Sequence, residues 1–126
     1  MRLLAIAMMI ASLLSGCAST ATATRNAWPA GLRDKVQSLA PGALDCGAAV
    51  SDAERLSGYA CVQQAHAAGK PFWFAFGSSD SPWFAWVETK DRKVLQLLPL
   101  GKQFMVAECK VFEVSTQGDG NIHCSI

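Results

Sequence analysis

Five cysteines carry the most distinctive chemistry of this 126-residue chain. Four of them, Cys46, Cys61, Cys109 and Cys124, lie beyond the N-terminal third, and an even number in a small exported domain predicts two disulfides. Of the three possible connectivities, we predict Cys46 with Cys61 and Cys109 with Cys124, because each pair is local in sequence. The alternative is a zinc or redox site, which typically has two cysteines separated by two residues, and the chain has no such pair.

The N-terminus predicts the export that these disulfides require. Arg2 is followed by an apolar run over residues 3–13 and then by small residues. A basic residue, roughly 7 to 15 apolar residues and a small-residue cleavage site define a secretory signal peptide, whereas a membrane span needs about 20. We therefore expect the chain to leave the reducing cytosol.

Residues 14–17, which are Leu14, Ser15, Gly16 and Cys17, resemble the lipobox of bacterial lipoproteins. The resemblance implies that a diacylglycerol is joined to the Cys17 sulfur, that the chain is cut after Gly16, and that the new amine is acylated. It also favours the outer membrane, because Ala18 stands where the enterobacterial pattern for inner-membrane retention has Asp. The alternative is an ordinary secretory peptide, cut elsewhere, that contains a cysteine by chance.

The sequence divides into three segments. Residues 1–16 are the predicted signal peptide, residues 17–27 the lipidated cysteine and a tether rich in Ala, Thr and Ser, and residues 28–126 one periplasmic domain. Without Arg2, ten basic and ten acidic residues remain, and they are scattered. This balance argues against a nucleic-acid partner, for which a basic patch is typical. No metal or cofactor is predicted.

Two helices are predicted at the start of the domain. The first covers residues 29–39, where apolar side chains recur at helical spacing: Leu32, Val36 and Leu39. The second begins after Ser51, which forms a capping box with Glu54, and ends at Gly69. Its predicted apolar stripe consists mainly of small residues: Ala53, Leu56, Ala60, Cys61 and Ala65.

Aromatic and β-branched runs predict strands after the second helix, separated by short turns: residues 72–76, 83–87, 94–98, 104–114 and 122–126. Such short connections favour an antiparallel meander. The predicted fold is α+β, with two N-terminal helices on one face of a four- to five-stranded antiparallel sheet. If residues 109–114 lie opposite residues 119–124, Cys109 faces Cys124 across the strands.

The first two strands place aromatic rings on both sheet faces. The simpler interpretation is a second apolar cluster beneath loops or the tether. The alternative hypothesis is that Trp73, Trp83 or Trp86 anchors a protein or glycan partner, since Trp is favoured at interfaces.

Candidate catalytic residues are sparse. His66 lies among polar neighbours of the second helix, with no companion in the sequence that would orient it, and His123 is interpreted as a strand residue. The carboxylates considered for acid–base chemistry each fit a cap, turn or surface role: Asp45, Asp52, Glu54 and Asp80.

Three classes of function remain. The first is a lipid-anchored envelope protein with a non-catalytic binding or structural role, and we favour it. Two helices ahead of an antiparallel sheet resemble the small lipoprotein subunits of outer-membrane assembly machinery by fold analogy alone. The second is an inhibitor of a hydrolase such as lysozyme, although lysozyme-inhibitor lipoproteins are mainly β. An enzyme is the third.

Overall fold

The computed structural model describes residues 28–126. The helices are α1 (Ala30–Leu39) and α2 (Asp52–Ala67). Seven strands accompany them: β1 (Leu44–Ala49), β2 (Phe72–Phe76), β3 (Phe84–Glu88), β4 (Val94–Leu100), β5 (Gln103–Glu108), β6 (Val111–Ser115) and β7 (Asn121–Ser125). The fold is α+β, as the sequence predicts. The lipobox, the signal peptide and the tether lie outside the described residues.

Helix α2 begins and ends where its sequence signals predict. The Ser51 hydroxyl accepts a hydrogen bond from the Glu54 N–H at 3.2 Å and donates to the Glu54 carboxylate at 3.0 Å. At the other end Gly69 adopts a left-handed φ of 70°, and the Lys70 N–H reaches back to the Ala65 carbonyl at 2.9 Å. This Schellman ending satisfies the last carbonyls of the helix.

Strand β1 corrects the prediction that both helices precede the sheet. It lies between α1 and α2 and pairs in parallel with β2, so the sheet is mixed instead of an antiparallel meander, with the order β1-β2-β3-β4-β5. Its sequence is dominated by small and polar residues, and Gly47 sits at a φ of 103° beside an irregularity in the pairing. The strand exists because α2 returns the chain beside β2.

The two helices lie on opposite faces of the five-stranded sheet, which corrects the prediction that they share one. In β2, Phe72 and Phe74 point toward the core that contains the α2 residues, whereas Ala75 points toward the core that contains Leu32 of α1. We call these sides the α2 face and the α1 face. Each buries one apolar stripe of a helix against alternate strand residues.

The predicted strand over residues 104–114 is in fact two strands in different sheets. The Cys109 N–H donates to the carbonyl of Val94, the first residue of β4, so the chain beyond this point has no partner on β4. It turns away and forms the β6–β7 hairpin, which packs on the α2 face through four side chains: Phe112, Val114, Ile122 and Cys124.

Both disulfides have the predicted partners. Cys46 of β1 is joined to Cys61 of α2, and Cys109, at the junction of β5 and β6, is joined to Cys124 of β7. The predicted register is wrong, however, because Phe112 and not Cys109 lies opposite Cys124. The second bridge therefore runs diagonally, from just before β6 to the strand beside it.

Candidate functional site

The described part of the chain starts with a packed residue. Trp28 is 5% exposed, and its ring stacks on Trp73 with centroids 4.8 Å apart and planes 10° apart. The predicted domain therefore begins with a buried side chain. Cys17, the predicted lipidation residue, lies outside the described range.

The three tryptophans proposed as a partner surface lie in the two cores. Trp83 and Trp86 are buried, and Trp73 is half-buried beneath Trp28. Trp83 also packs closely on Gly77, where an added Cβ would approach its ring to 2.6 Å. These contacts place Trp73 and Trp83 in a second apolar cluster on the α1 face, which the simpler interpretation predicts beneath loops or the tether and which the structure packs against helix α1. The hypothesis that one of these rings anchors a partner stays a prediction, and our proposals do not depend on it.

A buried carboxylate is the polar centre of the α2 face. Glu88, the last residue of β3, has no exposed side-chain surface, and its Oε1 lies 2.5 Å from Nδ1 of His66 in the last turn of α2. The His66 ring is about one-third exposed and meets the edge of Phe112 from the β6–β7 hairpin at 5.0 Å. The pair therefore joins three separate elements.

Arg92 completes this group, which we call the Glu88 cluster (His66, Glu88 and Arg92). Its Nη1 lies 3.6 Å from Glu88 Oε2, and its Nη2 donates to the His66 carbonyl at 3.2 Å. A cation at a helix C-terminus is favoured by the helix dipole and satisfies a terminal carbonyl. Arg92 adopts a left-handed φ of 65°, an uncommon conformation for a non-glycine residue, which these contacts help to hold.

The Glu88 cluster was missed at the level of sequence because His66 lies 22 residues before Glu88 in the chain. The prediction that His66 has no companion to orient it is wrong, because the Glu88 carboxylate contacts its Nδ1. A carboxylate that holds an imidazole in one orientation is also part of catalytic triads. Within residues 28–126 no hydroxyl forms a hydrogen bond with this ring, and all four cysteines are bridged.

The other polar candidates serve local structure. Asp45 accepts the Gly47 N–H at 2.8 Å, and Asp52 forms an exposed ion pair with Arg55 at 3.1 Å. The Ser78 hydroxyl accepts the N–H of Asp80 in a surface turn. His123 lies opposite Glu113 on the exposed side of the hairpin.

One surface pocket of about 280 Å³ lies between the end of α1 and the β3–β4 turn. Lys90 and Lys93 line it together with Asp91. Because its charges have both signs and come from one exposed turn, the pocket selects neither anions nor cations strongly.

Among the described residues no three His, Cys, Asp or Glu side chains converge as metal ligands. Within the same range, no helix is both long and apolar enough to span a bilayer. Compared with known proteins, the chain matches no family model, no curated protein and no solved structure.

Proposed function

We propose that this protein is a bacterial lipoprotein, anchored by acyl chains on Cys17 to the periplasmic face of the outer membrane, with a non-catalytic binding or structural role in the envelope. The observation that carries the proposal is the sequence of residues 14–17 after an apolar run of signal-peptide length. Three acyl chains, each CH₂ adding about 0.8 kcal/mol on burial, hold such a protein permanently on a leaflet.

The disulfides support the export step of this proposal. All four cysteines of residues 28–126 are bridged, and each bridge joins two elements of the α2 face. Disulfides of this kind persist in the periplasm, whereas cytosolic thiols are kept reduced. An exported chain is therefore the state in which this fold is complete.

The segment between Cys17 and Trp28 supports the anchoring step. Its ten residues, 18–27, are rich in Ala, Thr and Ser, and the next residue, Trp28, is fixed in the α1 face. A flexible chain of this length has an r.m.s. reach of about 15 to 20 Å. The domain would stand clear of the lipid headgroups on such a tether and remain free to meet a partner.

The Glu88 cluster supports a structural interpretation of the chain's polar centre. Glu88 Oε1 contacts His66, Glu88 Oε2 lies within ion-pair distance of Arg92 but accepts no hydrogen bond from the described residues, and together the three residues link α2, β3 and the β3–β4 turn. Buried charges that are compensated in this way are common in structural networks as well as in active sites.

Metabolic labelling with radioactive palmitate tests the anchor. We expect the wild-type chain to be labelled and to sediment with outer membranes, and we expect Cys17→Ala to lose both properties. The matched control is Ser19→Ala, two residues away in the tether, which should behave like the wild type. An unlabelled wild-type chain, or a Cys17→Ala chain that still fractionates with the outer membrane, would overturn the proposal.

The non-catalytic role has a separate test. The full lipidated chain, cross-linked in intact cells and purified from solubilised envelopes, should carry envelope proteins or glycan in stoichiometric amounts. Inhibition of a panel of lysozymes by the same chain would support the hydrolase-inhibitor alternative instead. Hydrolytic activity lost in His66→Ala would show that the Glu88 cluster is catalytic and would refute the non-catalytic role.

A further inference from the structure

Strand β5 forms an unpaired edge of the five-stranded sheet. Its inner side pairs with β4, and within residues 28–126 no strand pairs with its outer side. Because the Cys109 N–H points inward to Val94, alternation along the strand directs the backbone groups of Phe104, Val106 and Glu108 outward. Three residues of β5 thus present donors and acceptors to a further strand.

This edge lacks several of the features that usually prevent strand addition. Residues 103–108 contain no Pro and no Lys, their pairing with β4 is regular, and both Met105 and Val106 are more than one-third exposed. The opposite edge, β1, is interrupted by an irregularity between Asp45 and Ala48. Proteins protect edges with bulges, charges and Pro. The only charged residue of β5, Glu108, lies at its end, so the regular central part of the strand favours a partner strand.

We propose that β5 pairs in an antiparallel arrangement with β5 of a second copy of this chain, about a two-fold axis at Met105, to give a continuous ten-stranded sheet. The outward hydrogen-bonding groups belong to even-numbered residues, so even residues must face even residues across the axis. The two-fold axis must therefore pass through one residue of the strand and not between two residues.

The register centred on Met105 is self-complementary. It places Phe104 opposite Val106 of the second copy on the α1 face, and Met105 opposite its equivalent on the α2 face. It also brings Lys102, at the β4–β5 turn, next to Glu108 of the second copy. The two-fold axis produces this pair of opposite charges twice. Aromatic with β-branched pairs and opposite charges are the favourable cross-strand combinations.

The neighbouring registers lack this match. Centred on Val106, the pairing would place Phe104 opposite Glu108 of the second copy, and centred on Phe104 it would leave both charged groups without a partner. An isologous contact of this kind closes on itself and uses up the edge in both copies, so assembly stops at the dimer. The charges at the two ends of β5 therefore select both the partner and the register.

Cysteine cross-linking in intact cells tests the dimer in the full chain. We expect Met105→Cys to give a reducible dimer after mild oxidation with copper phenanthroline, because facing residues of a non-hydrogen-bonded pair bring their Cα atoms to about 4.5 Å. The matched control is Gln117→Cys, which is also exposed and lies in the β6–β7 turn. Cross-linking at Met105 no stronger than at Gln117 would overturn the proposal.

Charge reversal tests the register. In the Met105→Cys background, Glu108→Lys places like charges at both ends of the paired strands, and we expect the cross-linked fraction to fall roughly tenfold. Adding Lys102→Glu restores opposite charges and should restore cross-linking. A Glu108→Lys chain that dimerises normally, or a double variant that does not recover, would refute this pairing.

A backbone variant keeps the test independent of side chains. The Val106 N–H points outward, so Val106→Pro removes a donor from the proposed interface and none from the pairing with β4. We expect this variant to accumulate as a folded monomer. A chain that remains dimeric would exclude the β5 edge, and capture of an extended peptide of another protein by the wild-type edge, in place of a second copy, would also contradict the proposal.

Discussion

The two faces of the five-stranded sheet are stabilised in different ways. On the α1 face one ten-residue helix and Trp28 pack on small, aliphatic and aromatic side chains. On the α2 face the cover consists of two pieces, α2 and the β6–β7 hairpin, with both disulfides and the Glu88 cluster among them. One face uses apolar packing, and the other adds covalent and polar links.

The difference follows from how much apolar surface the elements on each face can bury. A two-stranded hairpin is marginal by itself in water, and the β6–β7 hairpin alternates exposed with half-buried residues, so its apolar contribution is small. The bridge from Cys109 to Cys124 limits its freedom in the unfolded chain and in local opening. Covalent links thus occur where apolar burial is least able to hold an element in place.

The largest expected effect comes from removing both bridges. Each closes a segment with a sequence separation of 15, for which the loop-entropy model gives about 3 kcal/mol, so replacing all four cysteines with Ala should lower the free energy of unfolding by about 6 kcal/mol. Urea unfolding measures the total loss of stability, and hydrogen exchange shows which elements lose it. We expect amides of α2 and the hairpin to lose protection before those of α1.

Equal loss of protection on both faces would contradict the comparison, because the sheet would then be opening as one unit. A variant that lacks only Cys109 and Cys124 separates the two parts of the α2 face. In that variant the amides of α2 should keep their protection from hydrogen exchange, while those of the hairpin lose it.

An intermediate effect is expected at the Glu88 cluster. Glu88→Ala removes a fully buried carboxylate from beside His66 and Arg92 and should cost about 3 kcal/mol, whereas Glu88→Gln keeps the shape and should cost about 1 to 2 kcal/mol. Thermal and urea unfolding give both values. Glu113→Ala, on the exposed side of β6, is the control and should change stability by less than about 0.5 kcal/mol. Equal losses at positions 88 and 113 would show that the cluster does not stabilise the α2 face.

The smallest effects come from one glycine in each helix. An added Cβ at Gly58 of α2 would lie 2.0 Å from a carbon of the Phe74 ring, whereas one at Gly31 of α1 meets nothing within 4 Å. At Gly58 the cost of overpacking exceeds the gain in helix propensity, so Gly58→Ala should destabilise the protein by about 1 to 2 kcal/mol. Gly31→Ala should stabilise by about 0.5 kcal/mol. Chemical denaturation of the two variants measures both changes in the free energy of unfolding. Changes of the same sign would mean that the two helices approach the sheet equally closely.

Local features of this fold were predictable from sequence because their causes are local. Ser51 and Gly69 bound α2 through contacts within a few residues, and both cysteine pairs are close enough in sequence to be bridged beside the elements that contain them. The fold analogy with outer-membrane assembly lipoproteins loses its basis, since it required both helices ahead of the sheet and β1 separates them.

By itself the sequence determined the class of the fold, the ends of α2 and the two bridges, since caps, alternation and short separations act between near neighbours. Tertiary structure alone decided that Leu44–Ala49 is a strand and that Glu88 is buried. The first lacks β-branched and aromatic side chains and pairs only because α2 returns the chain alongside it. The second follows from the covering of one sheet face by α2 and the hairpin, which come from distant parts of the chain.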